Sequence, residues 1–206
     1  MKKTLALVGI LAVMALAAAA APVEFVSTSG AQLVFDGAGN FSFAPGGGGY
    51  ALSVTSGTCT GCLGNINGVF TIGAPYGPLN MFAPVTGTGT LALFDGLDTL
   101  TASLDWVEMQ SYGVSGTLNI LGVVNTSNVQ YAGTNPDLLS MLPGAVTTLT
   151  FQRTAPGLSP AYLATNQTSI GSFSGSISPV PEPGTYGLIA LGLSGVALVR
   201  RRGARG

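Results

Sequence analysis

Between residues 23 and 178 apolar and polar side chains alternate with a period of two. Leu100, Ala102, Leu104 and Trp106 interleave with Thr101, Ser103, Asp105 and Val107, which gives a strand with one apolar face. Leu118 and Ile120 alternate with Thr117 and Asn119, Leu149 and Phe151 with Thr148 and Thr150, and Phe173 and Ile177 with Ser172, Ser174 and Ser176. Shorter candidates lie at 32–35, 41–43, 50–55, 69–72 and 90–94. Turn chemistry punctuates them at Asp36-Gly37, Gly39-Asn40, the glycines 46–49, Asn67-Gly68 and Asp95-Gly96. About nine strands so spaced predict an all-β fold, an antiparallel β-sandwich or jelly roll forming a single domain. One short helix is expected: Asn135 caps it, Pro136 takes the first helical position and Asp137 faces the positive end of the dipole. Leu138, Leu139, Met141 and Leu142 follow, Pro143-Gly144 stops the run, and the helix is expected to plug one end of the sandwich.

The two termini follow other rules. Lys2 and Lys3 precede an unbroken apolar stretch over 5–17, and small residues fill 17–21. That is the pattern of a secretory signal peptide, here residues 1–20, removed by signal peptidase after Ala20. The β domain then covers 21–178, and a terminal segment covers 179–206. In that segment Pro179, Val180, Pro181, Glu182, Pro183 and Gly184 precede an apolar run at 186–199, followed by Arg200, Arg201 and Arg202. The run predicts a single transmembrane helix, but one only about 21 Å long against a hydrocarbon core of about 30 Å. Gly187, Gly192 and Gly195 weaken it further. It suits transient insertion at the inner membrane, with the arginines held on the cytoplasmic side and the exported body outside.

This order of elements resembles the PEP-CTERM protein-sorting domain, in which a Pro-Glu-Pro motif precedes a short membrane helix and an Arg-rich tail. The matching residues are Val180, Pro181, Glu182 and Pro183, the run 186–199, and Arg200, Arg201 and Arg202. The resemblance covers only the carboxyl end. It implies an exosortase as partner, a membrane-embedded, cysteine transpeptidase-like enzyme of Gram-negative bacteria. It also implies that Val180, Pro181, Glu182 and Pro183 form the sorting and processing motif and that Arg200 to Arg202 form the stop-transfer signal. Cleavage near the motif and passage to the cell surface or an exopolysaccharide matrix follow from the same resemblance. Prolines one residue apart hold a chain extended and remove backbone donors, which suits capture in a cleft.

Composition narrows the rest. The 206 residues carry 7 basic and 8 acidic side chains and no histidine; 7% are charged, where about 25% is usual. From 21 to 180 one base, Arg153, stands against seven acids, Glu24, Asp36, Asp95, Asp98, Asp105, Glu108 and Asp137. Nucleic acid is excluded as a partner, because phosphate neutralisation needs clustered Lys and Arg. The lack of histidine excludes His-based triads and imidazole metal sites. Cys59 and Cys62 cannot by themselves fill a four-ligand zinc site, and in an exported chain they are expected to form a disulfide that fixes the shape of one loop. No cofactor is expected.

The Asp36-Gly37-Ala38-Gly39-Asn40 and Asp95-Gly96-Leu97-Asp98 segments offer oxygen ligands for calcium, although neither matches an EF-hand and both read as ordinary hairpin turns. Asp95, Asp98, Asp105 and Glu108 raise the question of a two-carboxylate glycosidase. Trp106, between Asp105 and Glu108, could stack on a sugar, but it continues the apolar face of its strand and is expected in the core. Arg153 is expected to pair with an acid. Triplets at Asn40, Asn125 and Asn166 fit the N-glycosylation pattern only weakly. The chain is thus expected to be an exported, non-enzymatic surface or matrix protein with a structural or adhesive body. The alternative is a secreted carbohydrate- or calcium-binding module, and a weaker one a hydrolase using Asp105 or Glu108.

Overall fold

The computed structural model of the chain describes residues 21–78, 81–112, 117–154 and 159–180, with backbone alone for 112, 117–120 and 152–154. The signal peptide expected at 1–20 lies outside these residues. The strands in chain order are β1 (Val23–Ser27), β2 (Gln32–Asp36), β3 (Asn40–Ala44), β4 (Leu52–Val54), β5 (Leu63–Gly68), β6 (Phe70–Ile72), β7 (Phe82–Thr86), β8 (Thr88–Phe94), β9 (Thr99–Tyr112), β10 (Thr117–Gln130), β11 (Ala145–Thr154), β12 (Gln167–Ile170) and β13 (Phe173–Pro179). Two short helices, α1 (Pro136–Leu139) and α2 (Pro160–Thr165), interrupt them.

Eight of these strands close on themselves. The hydrogen-bonded order runs β10–β11–β13–β1–β4–β5–β8–β9, and β9 pairs back onto β10, all antiparallel. The expected sandwich or jelly roll is therefore corrected to a closed barrel with extra strands. Alternation along a strand assigns its faces but says nothing of its neighbours, and closure depends on neighbours. Two 14-residue strands, β9 and β10, make the closing seam. Their register shifts at Val123/Val124 and again at Ser127/Gln130; such bulges increase local twist and let a sheet curl into a ring.

The extra strands branch from β9. Its first half carries β8, through Thr88↔Asp105 to Phe94↔Thr99, while further along the same edge Phe82, Ala83 and Pro84 of β7 pair with Gln110, Met109 and Glu108. From β7 the side sheet continues through β6, β3 and β2 to β12. Asn67-Gly68, expected as a turn, does not reverse the chain. β5 and β6 both pair with the β7–β8 segment in one unbroken register, and Gly68, at φ 134°, marks the bend where the chain leaves the barrel for the side sheet. The turns expected at Asp36-Gly37 and Asp95-Gly96 do join β2 to β3 and β8 to β9.

The core fills with the residues that alternation marks. Leu100, Ala102, Leu104 and Trp106 of β9 are buried, as are Leu149, Phe151, Phe173 and Ile177. Aromatic rings join barrel and side sheet: Trp106 lies 4.9 Å from Phe41 and 5.4 Å from Phe70, Phe35 lies 5.9 Å from Phe151, and Phe43 lies 5.3 Å from Phe173. Trp106 is thus a core residue. Val107 is the bulged residue, 48% exposed, and beyond it the phase flips so that Met109 and Ser111 are buried. The expected single transmembrane helix is not found among the described residues. α1 has four residues and α2 six, and among the described residues no helix is long and apolar enough to cross a membrane. The run 186–199 lies outside those residues.

Trp106, paired with Val124, fits because two residues before that partner β10 has a glycine, Gly122, against the indole ring. A Cβ on Gly122 would stand 2.3 Å from Cζ3 of Trp106. We predict that Gly122→Val lowers the unfolding free energy by about 2–3 kcal/mol through overpacking, whereas Val107→Thr, on the exposed bulge, changes it by less than about 0.5 kcal/mol. Chemical denaturation of both variants checks this.

Candidate functional site

The chain leaves the barrel at one rim, and that rim is built from parts distant in sequence. β1 begins there and pairs with the end of β13, Val23 against Ile177. β13 runs on to Pro179, which pairs with Ala145, and the Val180 N–H donates to the Gly144 carbonyl at 3.0 Å. The barrel ladder therefore reaches the first residue of the expected sorting motif. Val180 is 42% exposed. Pro181, Glu182 and Pro183 follow it directly in sequence and lie outside the described residues, as do Arg200, Arg201 and Arg202.

α1 and the disulfide loop complete the rim. Asn135 is the N-cap, its Oδ1 accepting from the backbone N–H of Asp137 at 3.1 Å and of Leu138 at 3.4 Å, with Pro136 at the first helical position. Leu138 and Met141 are buried in the core, so the segment plugs the barrel end. Cys59 and Cys62 are joined by a disulfide, and both are buried. Their loop presents two consecutive N–H groups, of Thr58 and Cys59, to Oδ2 of Asp137 at 2.6 and 3.2 Å. Asn135 reaches the same loop, its Nδ2 donating to the Thr58 carbonyl at 3.2 Å and its Oδ1 accepting from Thr58 Oγ1 at 3.1 Å. The small covalent ring holds a pair of donors, and the helix supplies the acid that satisfies them.

The β8–β9 turn is bound into this network by Tyr131, a residue that alternation did not mark. Its hydroxyl donates to Oδ2 of Asp95 and accepts from the Asn135 N–H at 3.0 Å. Asp95 Oδ1 takes the N–H groups of Leu97 and Asp98 at 2.8 and 2.7 Å. The Tyr131 bond, then those two, hold the Asp95 carboxyl below its ordinary value of 3.8. Burial and the same bond hold the Tyr131 phenol above 10.0.

Asp36, Glu108 and Asp105 also have partners for their carboxylates. Oδ1 of Asp36 accepts from the N–H groups of Ala38 and Asn40 at 2.7 and 2.9 Å, and its Oδ2 accepts from Asn40 Nδ2 at 2.8 Å. The Asn40 bonds and that of Ala38 keep the Asp36 carboxyl below 3.8. This Asp-Gly turn and the one at Asp95 direct their carboxylates onto their own backbone, the arrangement of a turn. Glu108 accepts from the Tyr76 hydroxyl, whose ring stacks on Phe82, and Asp105 accepts from Ser127 Oγ at 3.5 Å. Among the described residues no three His, Cys, Asp or Glu side chains gather as a metal site would require. Arg153 has its backbone in β11, paired with Leu118. Asn40 and Asn166 of the glycosylation triplets bond to their own neighbourhoods, Asn166 to the Tyr162 carbonyl at 2.9 Å.

One further surface was not legible from motifs. The outer faces of β11, β13 and β1 form a shallow trough of about 650 Å³ bordered by Val26, Thr150, Ser172 and Ser174, beside a smaller one of about 340 Å³ reaching Glu24, Thr148 and Ser176. Hydroxyls line it in cross-strand pairs, Thr148 with Ser176 at 2.9 Å and Thr150 with Ser174 at 3.1 Å.

Fold and rim define a small β-barrel domain whose two ends leave from one side. Compared with known protein families, residues 179–202 match the PEP-CTERM protein-sorting motif. No curated protein and no solved structure matches the chain. The chain is an exported protein that carries a PEP-CTERM motif of the kind exosortases recognise, and the match begins at Pro179, the last residue of β13.

Two predictions follow from the rim's chemistry. Because the Asp95 pKa is depressed, its contribution to stability is present above 3.8 and is lost as pH falls through the lowered value; because that of Tyr131 is raised, its contribution is present below 10.0 and is lost as pH rises through the raised value. Tyr131→Phe should lower the melting temperature at neutral pH and flatten both limbs of a melting-temperature profile from pH 2 to 11. Closing a ring as short as that of Cys59 and Cys62 contributes about 2 kcal/mol in the chain-entropy model. Cys59→Ser/Cys62→Ser should cost about that much in urea unfolding and should couple non-additively with Asp137→Ala, which removes the acceptor that the same loop holds.

Proposed function

We propose that the chain is the substrate of a sorting enzyme and not itself an enzyme: a barrel delivered to the cell surface or extracellular matrix, where its body acts structurally or adhesively. The observation that carries this reading is the position of the motif. It starts where the folded domain stops, so Pro181-Glu182-Pro183 can be taken as an extended segment without unfolding the barrel. Signal peptidase removes residues 1–20 during export, and the second processing step takes place at the inner membrane, where an enzyme of the exosortase kind resides. The low charge and hydroxyl-rich outer strands suit a hydrated, carbohydrate-rich setting.

A second reading is supported by the Ser/Thr-lined trough over β11, β13 and β1: the body binds a neutral polysaccharide there through hydroxyl contacts. Replacing Thr150 and Ser174 with Val should then weaken retention of the barrel on purified matrix polysaccharide, and unchanged retention would remove this reading.

Mass spectrometry of the protein recovered outside the cell tests the main proposal. The chain is expected to begin near Ala21 and to end within a few residues of Pro183. Replacing Pro181, Glu182 and Pro183 together with alanine is expected to leave it unshortened. Extracellular material still ending at Gly206 would overturn the proposal.

A further inference from the structure

The rim that carries the chain ends has an apolar crest. Leu139 and Leu142 are 39% and 42% exposed, and Val180 is 42% exposed. Backbone bonds tie these residues to one turn: the Leu142 N–H donates to the Leu139 carbonyl at 3.2 Å, the Gly144 N–H to the Met141 carbonyl at 2.8 Å, and the Val180 N–H to the Gly144 carbonyl at 3.0 Å. Asp137, the acid of this segment, is engaged by the disulfide loop. Isolated exposed leucines are ordinary on a protein surface. What sets these apart is their place beside the motif.

Covalent geometry then imposes proximity. Pro183 is three residues beyond Val180, and an extended residue spans at most about 3.6 Å, so Pro183 lies within about 11 Å of Val180. Val180 is itself fixed to the barrel by its bond to Gly144. An enzyme that grips Pro181-Glu182-Pro183 in a cleft has walls on this scale or larger, and with no slack in the tether those walls must come up against the rim. We infer that the crest of Leu139, Leu142 and Val180 is a docking surface for the enzyme that processes the motif, met by an apolar lip beside that enzyme's cleft. The barrel is then part of the recognised substrate and not a passive load on it. This rests on the reading that the motif is processed at all.

The test uses the full chain, with its signal peptide and tail, in cells that contain the sorting enzyme, and follows the shortened product by pulse-chase and mass spectrometry. Leu139→Glu/Leu142→Glu is expected to be processed about fivefold or more slowly, the size of effect expected from losing an interface anchor. Both leucines are exposed, so the purified variant should melt close to the parent chain. A flexible Gly/Ser spacer of about ten residues between Val180 and Pro181 relaxes the forced contact, so the same two substitutions in the spacer chain should be processed within about twofold of the parent. A double-Glu chain processed at the parental rate would overturn the docking surface. So would one that is slow with and without the spacer, since the defect would then lie in folding or export. A parental chain that is never shortened would instead overturn the sorting reading beneath it.

Discussion

Pairing of β9 with β10 is the constraint on which the rest of this structure depends. Without that seam the sheet would be open, and two long strands would each present a row of unpaired backbone groups. With it, eight strands saturate one another's hydrogen bonds around a ring, which leaves no free edge there to template aggregation. The seam requires irregularity. The bulge at Val107 keeps Trp106 and Met109 both in the core despite an odd offset, and Gly122 gives the indole the room it occupies. A chain with 7% charged residues has little electrostatic repulsion to keep it soluble, so closure and a hydroxyl-covered exterior carry more of that burden than usual.

Much of the strand content was legible because alternation reports directly which face is buried. Leu100 to Trp106, Leu149 with Phe151, and Phe173 with Ile177 all read correctly, as did the capped segment at Asn135-Pro136. Reading failed where local composition disguised a strand. β5, Leu-Gly-Asn-Ile-Asn-Gly, has the look of a loop; β7 contains Pro84; β12 is four residues long. α2 also escaped, although Ser159 before Pro160 is a cap signal. Strand order was out of reach for a different reason. β1 pairs with β13 at the opposite end of the domain, and nothing local specifies such a partner, so a sandwich and a barrel share one pattern of alternation.

At the rim the same division holds. The cysteine spacing and the helix cap were visible because each is a local chemical pattern. The links between them were not: Asp137 meets Thr58 and Cys59, and Tyr131 meets Asp95, only after the barrel has closed and brought the β4–β5 loop, the β8–β9 turn and α1 to one end. Of the acids that resembled a catalytic or calcium-binding set, Asp36 and Asp95 hold their own turns, and Glu108 and Asp105 accept from Tyr76 and Ser127.

The adjacency of Val23 and Ile177 has a consequence for how the domain travels. The segments before Val23 and after Pro179 are attached on neighbouring strands at one side, so a pull on either end loads the same face of the barrel. The side sheet branches from the other half of β9, whose first half lies at the rim, so it is built away from the side where both chain ends leave.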